Sequence, residues 1–237
     1  ANFYDPVSKQ FSQPLEEGKV LNGTSISNNT VVDIDEDKFG NIWIATLNGL
    51  NKFDKEKKSI RNYFTGDGLV GSNVTSLFSD KEDNKLYVGT SNGLCVLDVH
   101  SNKINRVDIK NNEVTINSIE KIDDKNFWIG TNAGLVHLNT KDNAVLWFFE
   151  IDGLPNEYIY GVLKDNKNVL WISTNFGLSK LDLKLYEKNK IAQFKNYFEI
   201  DGLQSNEFNQ GAYHVSNDGE MFFGGINGFN SFYPEKV

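Results

Sequence analysis

The sequence predicts an all-β protein, a β-propeller built from four-stranded antiparallel blades. Three observations support this fold class: a motif of eight residues occurs five times, every copy contains its own glycine turn, and the intervening strands are short with apolar residues at every second position. The chain has 237 residues, 13% of them aromatic and only one of them methionine, a composition that suits stiff β-strands better than helices. A single domain of repeats can reach this length.

The motif consists of an aromatic and an apolar residue, small residues that usually end in threonine, two further residues, glycine, and leucine or phenylalanine. Its copies are residues 43–50, 87–94, 128–135, 171–178 and 222–229, so that their starts lie 44, 41, 43 and 51 residues apart. This period is typical of propeller blades, which bury their faces only against neighbouring blades, and the aromatic residue is expected to be the main packing group. The repeats are assigned approximately to residues 28–65, 72–110, 114–150, 156–198 and 206–237.

Two columns of residues upstream of each motif indicate the innermost strand of a blade. The first column contains short side chains only: Asp33, Ser76, Ser118, Gly161 and Ala212. The second column is apolar or aromatic: Ile34, Leu77, Ile119, Val162 and Tyr213. Small residues alternating with apolar ones are expected where strands crowd around a central axis.

The two ends of the chain resemble the same part of a blade. Phe3-Tyr4-Asp5 matches Lys52-Phe53-Asp54, and the chain stops after Phe232-Tyr233-Pro234 at the same point of the cycle. Residues 1–14 are therefore interpreted as tail strands of a preceding blade or as a closing strand. The chain could close into a five-bladed ring, or it could be an arc of a larger propeller whose edges are covered in the intact protein.

Composition argues against several functions. A net charge of −8 without a cluster of Lys or Arg would repel a phosphate backbone, so nucleic acid is not an expected partner. Cys95 is the only cysteine and lies in an apolar stretch, where a buried thiol is expected. The sequence has neither a signal peptide nor an apolar run of about 18 residues.

The repeat W-I-(G/S/A)-T-x-x-G-L, with a trailing K-x-(D/N), resembles the two-component regulator propeller repeat of hybrid sensor histidine kinases from gut Bacteroidetes. Residues 201–209 with 222–229 are similar to the final blade before a β-sandwich linker in that family. The resemblance covers nearly the whole chain. It implies the periplasmic portion of an inner-membrane protein that detects glycan breakdown products. It also implies seven-bladed propellers, of which these five blades would be a part.

The resemblance implies three kinds of partner: an oligosaccharide, the neighbouring blades and β-sandwich linker of the parent protein, and a second copy of the protein in a homodimer. Propeller ligands usually bind on the face formed by the loops that enter the inner strands and by the hairpin turns. Three entering loops share Asp-Gly-Leu, which predicts a turn with leucine packed beneath it. Carboxylate, amide and aromatic groups around these loops suit sugar binding. The candidate ligand-binding residues are Asn73, Glu157, Tyr158, Tyr160, Phe176, Glu207, Phe208 and Asn209.

Catalysis, a metal and a cofactor are not predicted. His100, His137 and His214 fall in three different repeats and are interpreted as structural, since no activated nucleophile accompanies them. The acidic stretch 33–40 lacks the spacing and the closing glutamate of a calcium loop. Two alternatives to a sensor stay open: a lyase-type propeller enzyme, which would need a His/Glu cluster with a metal, and a scaffold or dimerisation module without a ligand.

Overall fold

In the computed structural model the chain is a β-propeller of five blades, as predicted, and every blade is an antiparallel sheet. The structure describes residues 3–12, 25–111 and 113–237. The chain divides into two units, residues 1–108 and 109–237, and each is described by itself. Within the described residues, no helix has the length and hydropathy needed to cross a membrane.

The first unit contains a short hairpin and two four-stranded blades. The hairpin pairs β1 (Phe3–Asp5) with β2 (Gln10–Ser12). The first blade consists of β3 (Val31–Glu36), β4 (Ile42–Thr46), β5 (Gly49–Asp54) and β6 (Ser59–Tyr63). The second blade consists of β7 (Val74–Asp80), β8 (Lys85–Thr90), β9 (Gly93–Asp98) and β10 (Ile104–Val107). Of the predicted tail 1–14, residues 1, 2, 13 and 14 lie outside the described residues, and its place in a blade stays a prediction.

The second unit contains three blades. The third blade consists of β11 (Ile116–Lys121), β12 (Asn126–Thr131), β13 (Gly134–Asn139) and β14 (Ala144–Phe148). The fourth consists of β15 (Ile159–Lys164), β16 (Val169–Thr174), β17 (Gly177–Asp182) and β18 (Phe194–Tyr197), with helix α1 (Leu183–Asn189) between β17 and β18. The fifth consists of three strands, β19 (Phe208–Val215), β20 (Met221–Gly225) and β21 (Gly228–Phe232).

The first strand of each of the first four blades contains a β-bulge close to its start, and in the fifth blade the register shift extends from Phe208 to Tyr213. In the third and fourth blades the register shifts between Ile116 and Ser118 and between Ile159 and Gly161. Past the bulge, the predicted small column lies where inner strands approach one another: a Cβ added to Gly161 would overlap the ring of Tyr213 from the fifth blade. This close approach is the reason why the column contains short side chains.

The motif aromatics are core residues between successive blades. Trp43, Trp128 and Trp171 are each at most 1% exposed. Each of them belongs to a buried cluster that includes strands of the next blade; Trp171, for example, shares its cluster with Met221 and Phe223 of the fifth blade. The predicted packing role is therefore confirmed for these three positions.

The threonine of the motif closes the hairpin turn that follows it. Thr131 Oγ1 donates a hydrogen bond to Gly134 O at 2.8 Å and accepts one from Ala133 N at 3.0 Å. Thr46, Thr90 and Thr174 make the same pair of contacts. In the fifth blade Gly225 replaces threonine, and the side chain of Gln204 takes over: its Oε1 accepts from Asn227 N at 2.8 Å and its Nε2 donates to Glu207 O at 3.1 Å.

We expect Thr131→Val to lower the free energy of unfolding by about 1–3 kcal/mol, because valine keeps the shape but leaves Ala133 N and Gly134 O without the hydroxyl. Urea denaturation measures the difference. The control is Thr140→Val, which removes an exposed hydroxyl that donates to Lys125 O. Equal stability of the two variants would show that the buried hydroxyl does not stabilise the turn.

Candidate functional site

Three of the entering loops begin with the same tight turn. One turn of 3-10 helix spans Thr65–Asp67, Glu150–Asp152 and Glu199–Asp201 in these loops. In the second of them, Phe149 N donates to Asp152 Oδ2 at 2.9 Å, and Gly153 follows with a φ of 107°. Leu154 is buried directly after this glycine. Asp-Gly-Leu is thus a structural turn, as predicted, and the candidate ligand contacts lie after it.

The end of each loop is hydrogen bonded to two hairpins. Glu157 O accepts from Gly134 N of the preceding blade at 2.7 Å, and Tyr158 O accepts from Asn175 N of its own blade at 3.0 Å. The same two bonds are made by Ser72 and Asn73 before the second blade, and by Asn206 and Glu207 before the fifth. Asn73, Tyr158 and Glu207 therefore occupy equivalent positions on backbone that two blades hold in place.

Tyr158 and Tyr160 form an aromatic pair at the start of the fourth blade. Their ring centroids are 4.9 Å apart with an interplanar angle of 47°, and both side chains are partly exposed. The Tyr160 hydroxyl donates to Asn175 Oδ1 at 3.1 Å in the adjacent hairpin turn. Burial raises the pKa of Tyr160, and the nearby Tyr158 and Glu207 add to this effect. The phenol consequently remains a hydrogen-bond donor at neutral pH.

A neighbouring blade supports the backbone between these two tyrosines. Asn117 is the bulge residue of β11 and is 2% exposed, and its Nδ2 donates to Ile159 O at 2.8 Å. From the fifth blade, the hydroxyl of Tyr213 donates to Asn117 O at 3.5 Å. Three inner strands thus meet beneath the tyrosine pair. Asn117 is not among the residues predicted from the sequence, because the prediction considered exposed groups. The sequence does contain a signal: Asn117 precedes the small residue Ser118 just as Tyr160 precedes Gly161.

The other candidate residues are spread over both units. Phe176 is 50% exposed, as expected for its turn, and its ring lies 5.7 Å from that of Phe198. Asn209 is exposed at the start of β19. Asn73 belongs to the first unit, and its Oδ1 is buried with no hydrogen-bond partner among the described residues. The tyrosine pair and Glu207 are brought together in the second unit.

Phe208 requires a correction, because its side chain is 1% exposed and packs among Trp171, Met221 and Phe223. It is a core residue and not a surface ligand contact. The reason is positional: Phe208 begins the inner strand, a place taken by Val74, Ile116 and Ile159 in other blades, all of them buried. This apolar column was readable in the sequence.

Carboxylates on the inner strands connect successive blades. Asp33 Oδ2 accepts from Leu77 N at 2.8 Å in the first unit, and Glu120 Oε1 accepts from Lys164 N at 3.3 Å in the second. Burial raises the pKa of Glu120 to about 7, although the hydrogen bond and the charge of Lys164 oppose this shift. Glu120 therefore changes protonation near neutral pH at a contact between the third and fourth blades.

His137 lies in a second polar cluster, on the third blade. Its ring stacks on Trp128 at 4.7 Å, and its nitrogens contact Tyr186 Oη at 3.3 Å and Asn126 Oδ1 at 3.1 Å. These residues line a cavity of about 600 Å³ beside helix α1. Burial lowers the pKa of His137. Across the described ranges, no group of three or more His, Cys, Asp or Glu side chains is arranged to hold a metal ion.

The fold is a β-propeller in which the entering loops and the hairpin turns repeat the same contacts from blade to blade. Residues 25–48 and 153–176 match the family model described as two component regulator propeller. The second of these segments contains the entering loop, the tyrosine pair and the hairpin turn of the fourth blade. The resemblance inferred from the motif is thereby confirmed for these two segments.

Over 99% of its length the chain is 28% identical to histidine kinase P4 of Formosa agariphila, and it spans 14% of that protein. It is also similar to the extracellular domain of a hybrid two-component system of B. thetaiotaomicron, with a TM-score of 0.76, 19% identity, and coverage of 96% of this chain and 29% of that one. Virginiamycin B lyase from Staphylococcus aureus shares the fold with a TM-score of 0.63 at 14% identity, over 86% of this chain and 69% of the lyase.

We expect Glu120→Gln to stabilise the protein at pH 8. Since burial raises the pKa of Glu120 from 4.5 to about 7 in the folded state, the folded protein retains a proton that the unfolded chain releases in this range, and stability falls as the pH rises. Glutamine keeps an oxygen that accepts from Lys164 N, and because it does not ionise, the variant does not lose stability as the pH rises. The gain should be small at pH 4.5 and about 1–3 kcal/mol at pH 8.

Urea denaturation at both pH values tests this expectation. The control is Glu36→Gln, because Lys55 lowers the pKa of the exposed Glu36, and its replacement should bring no gain at pH 8. A Glu120→Gln protein that is no more stable than the wild type at pH 8 would contradict the assignment.

Proposed function

We propose that the chain is a ligand-sensing propeller module in the periplasmic part of an inner-membrane hybrid two-component sensor histidine kinase, and that it binds a glycan-derived oligosaccharide. Two observations support a histidine kinase as the parent protein: the matches to the regulator propeller model, and the similarity to a histidine kinase over 99% of this chain. The observation that supports the ligand site best is the partly exposed pair of Tyr158 and Tyr160, with Asn175 beside it.

The chemistry of this pair suits a sugar. A pyranose ring presents an apolar face of C–H groups and a rim of hydroxyls, so it packs on an aromatic ring while its hydroxyls bond to polar groups. Tyr158 and Tyr160 supply the rings. The side chains of Glu207 and Asn209, on the next blade, supply acceptors for the hydroxyls, and Asn175 is the amide of the adjacent turn. Phe176 adds an exposed apolar surface at the same hairpin.

The site is preorganised by backbone contacts. Tyr158 O is bound by Asn175 N, and Ile159 O is bound by the side chain of Asn117. A site whose backbone is already ordered loses less conformational entropy when a ligand binds, so that more of the contact energy appears as affinity. Because Asn117 belongs to the third blade and Tyr213 to the fifth, a ligand on the tyrosine pair would bias contacts among three blades.

We expect Tyr158→Ala and Tyr160→Ala each to weaken oligosaccharide binding at least tenfold, equivalent to about 1.4 kcal/mol, because each removes a stacking ring. Isothermal titration calorimetry of the 237-residue chain against neutral, amino, uronate and sulfated oligosaccharides provides the measurement. Thermal denaturation of each variant shows whether the fold is retained.

The matched control is Phe39→Ala, which removes a ring that is 50% exposed on the first blade. Its affinity should equal that of the wild type. Unchanged binding by both folded tyrosine variants would place the site elsewhere. A folded wild-type chain that binds none of the oligosaccharides would favour the scaffold alternative and overturn the proposal.

A further inference from the structure

The loops on the face that contains the tyrosine pair are acidic. Residues 149–158 and 198–207, the loops entering the fourth and fifth blades, contain three acidic residues each and neither Lys nor Arg. Their carboxylates are those of Glu150, Asp152, Glu157, Glu199, Asp201 and Glu207. The hairpin turns beside them, residues 132–133, 175–176 and 226–227, are uncharged. The loop before the third blade adds Lys110 and Glu113, which balance each other.

The fold does not require all of these acids. The loop before the second blade forms the same turn with Thr65 and Gly66 in the places of Glu150 and Ile151. The structural bond is equally short in both turns, 2.9 Å from Phe64 N to Asp67 Oδ2 and 2.9 Å from Phe149 N to Asp152 Oδ2. Only the aspartate is therefore needed for the turn. The glutamates at 150 and 199 do not take part in this turn bond, although Glu150 Oε1 accepts from Asn156 Nδ2 at 3.2 Å within its own loop.

Glu157 belongs to the loop end that carries the tyrosine pair, and Glu207 belongs to the equivalent loop end of the next blade. Glu157 directly precedes Tyr158 in the sequence, and the charge of Glu207 contributes to the raised pKa of Tyr160. The geometry agrees, because Asn206 O accepts from Gly177 N at 2.6 Å, and Glu207 therefore follows directly on a residue bonded to the hairpin whose Asn175 contacts Tyr160. The side chain of Glu207 is exposed, so its charge is available to a ligand from solvent.

Aromatic rings together with carboxylates are the groups that recognise an ammonium ion. The negative face of a tyrosine ring attracts a cation, and a carboxylate accepts its hydrogen bonds. The chain already uses the first contact within its blades, where Lys180 Nζ lies 5.1 Å from the ring centroid of Trp171 and Lys195 Nζ lies 4.9 Å from that of Tyr197. At the tyrosine pair of the fourth blade, the acidic loops offer carboxylates and no lysine or arginine of their own.

We infer that this face selects an oligosaccharide with protonated amino groups, that is, an amino sugar whose nitrogen is not acylated, over sulfated and uronate-bearing oligosaccharides. The inference rests on the proposed function and names its ligand class. The ammonium group would donate to Glu207 or Glu157 and lie against the tyrosine rings. Sulfate and uronate groups would be repelled by the same loops and would find no Lys or Arg there.

The test compares three probes of equal length in calorimetric titrations of the full chain: a glucosamine oligosaccharide, its N-acetylated counterpart and an oligogalacturonate. We expect the glucosamine probe to bind at least tenfold more tightly than the N-acetylated one at low salt, and the oligogalacturonate to bind most weakly. The preference should shrink with added salt and as the pH rises through the pKa of the sugar amine, because both changes weaken ion pairing.

Variants separate a specific site from general attraction to a chain of net charge −8. Glu207→Gln and Glu157→Gln should reduce the preference for the glucosamine probe several-fold, while Glu187→Gln on helix α1 removes an equal charge from the third-blade cavity and should leave it unchanged. If all three variants reduced the preference for the glucosamine probe equally, the assignment of the ammonium site to this face would be wrong.

The remaining outcomes distinguish this inference from the proposed function. Binding of the N-acetylated probe or the oligogalacturonate as tight as that of the glucosamine probe, with loss of binding in Tyr160→Ala, would overturn the ligand class and leave the sensor proposal standing. Absence of binding by these three probes, while a neutral or sulfated oligosaccharide is still bound, would overturn this inference alone; absence of binding by the whole set of oligosaccharides to a folded chain would overturn the proposed function and this inference with it.

Discussion

The hydrogen bond from a hairpin glycine to the next blade's entering loop is the contact on which the candidate site depends. Gly134 N donates to Glu157 O at 2.7 Å, and Gly177 N donates to Asn206 O at 2.6 Å. A positive φ at these glycines directs the N–H toward the neighbouring loop, and the motif threonine holds the turn in that shape. The loop carries the candidate ligand contacts directly afterwards. The hairpin glycines and threonines that join successive blades therefore also position the loops that carry the candidate site.

The inner strands add a second constraint, which is crowding. Short side chains at Ser118 and Gly161 let neighbouring blades approach, and the bulge beside them adds an extra residue to the strand. In the third blade that residue is the buried Asn117, and in the fourth it is the partly exposed Tyr160. The same position therefore has a supporting role in the third blade and, as we propose, contacts the ligand in the fourth. Both are possible because a bulge residue is not paired in the strand ladder.

The candidate site could be predicted only in part. The candidate residues after Asp-Gly-Leu are predicted from their loop position and residue type, and the structure pairs the rings of Tyr158 and Tyr160. Glu207 follows Asn206, which is hydrogen bonded to the hairpin of the fourth blade. Its loop position predicts that Phe208 is exposed, but Phe208 begins the inner strand at a position that is buried in the other blades, and its side chain is in the core. Asn117 stands in the column that Tyr160 occupies in the fourth blade, but its hydrogen bond to Ile159 O, 42 residues away, leaves no local pattern in the sequence.

The blade number, the hairpin turns and the core aromatics follow from the sequence, since each depends on contacts within a repeat or on a spacing that every repeat shares. The environments of individual carboxylates follow only from the tertiary structure. Asp152 closes a turn, Glu120 is buried against Lys164 N, and Glu207 acts on Tyr160, although all three are acidic residues of equivalent chemistry. The reason is that desolvation and charge proximity depend on which blades meet, and this is decided by packing between distant segments.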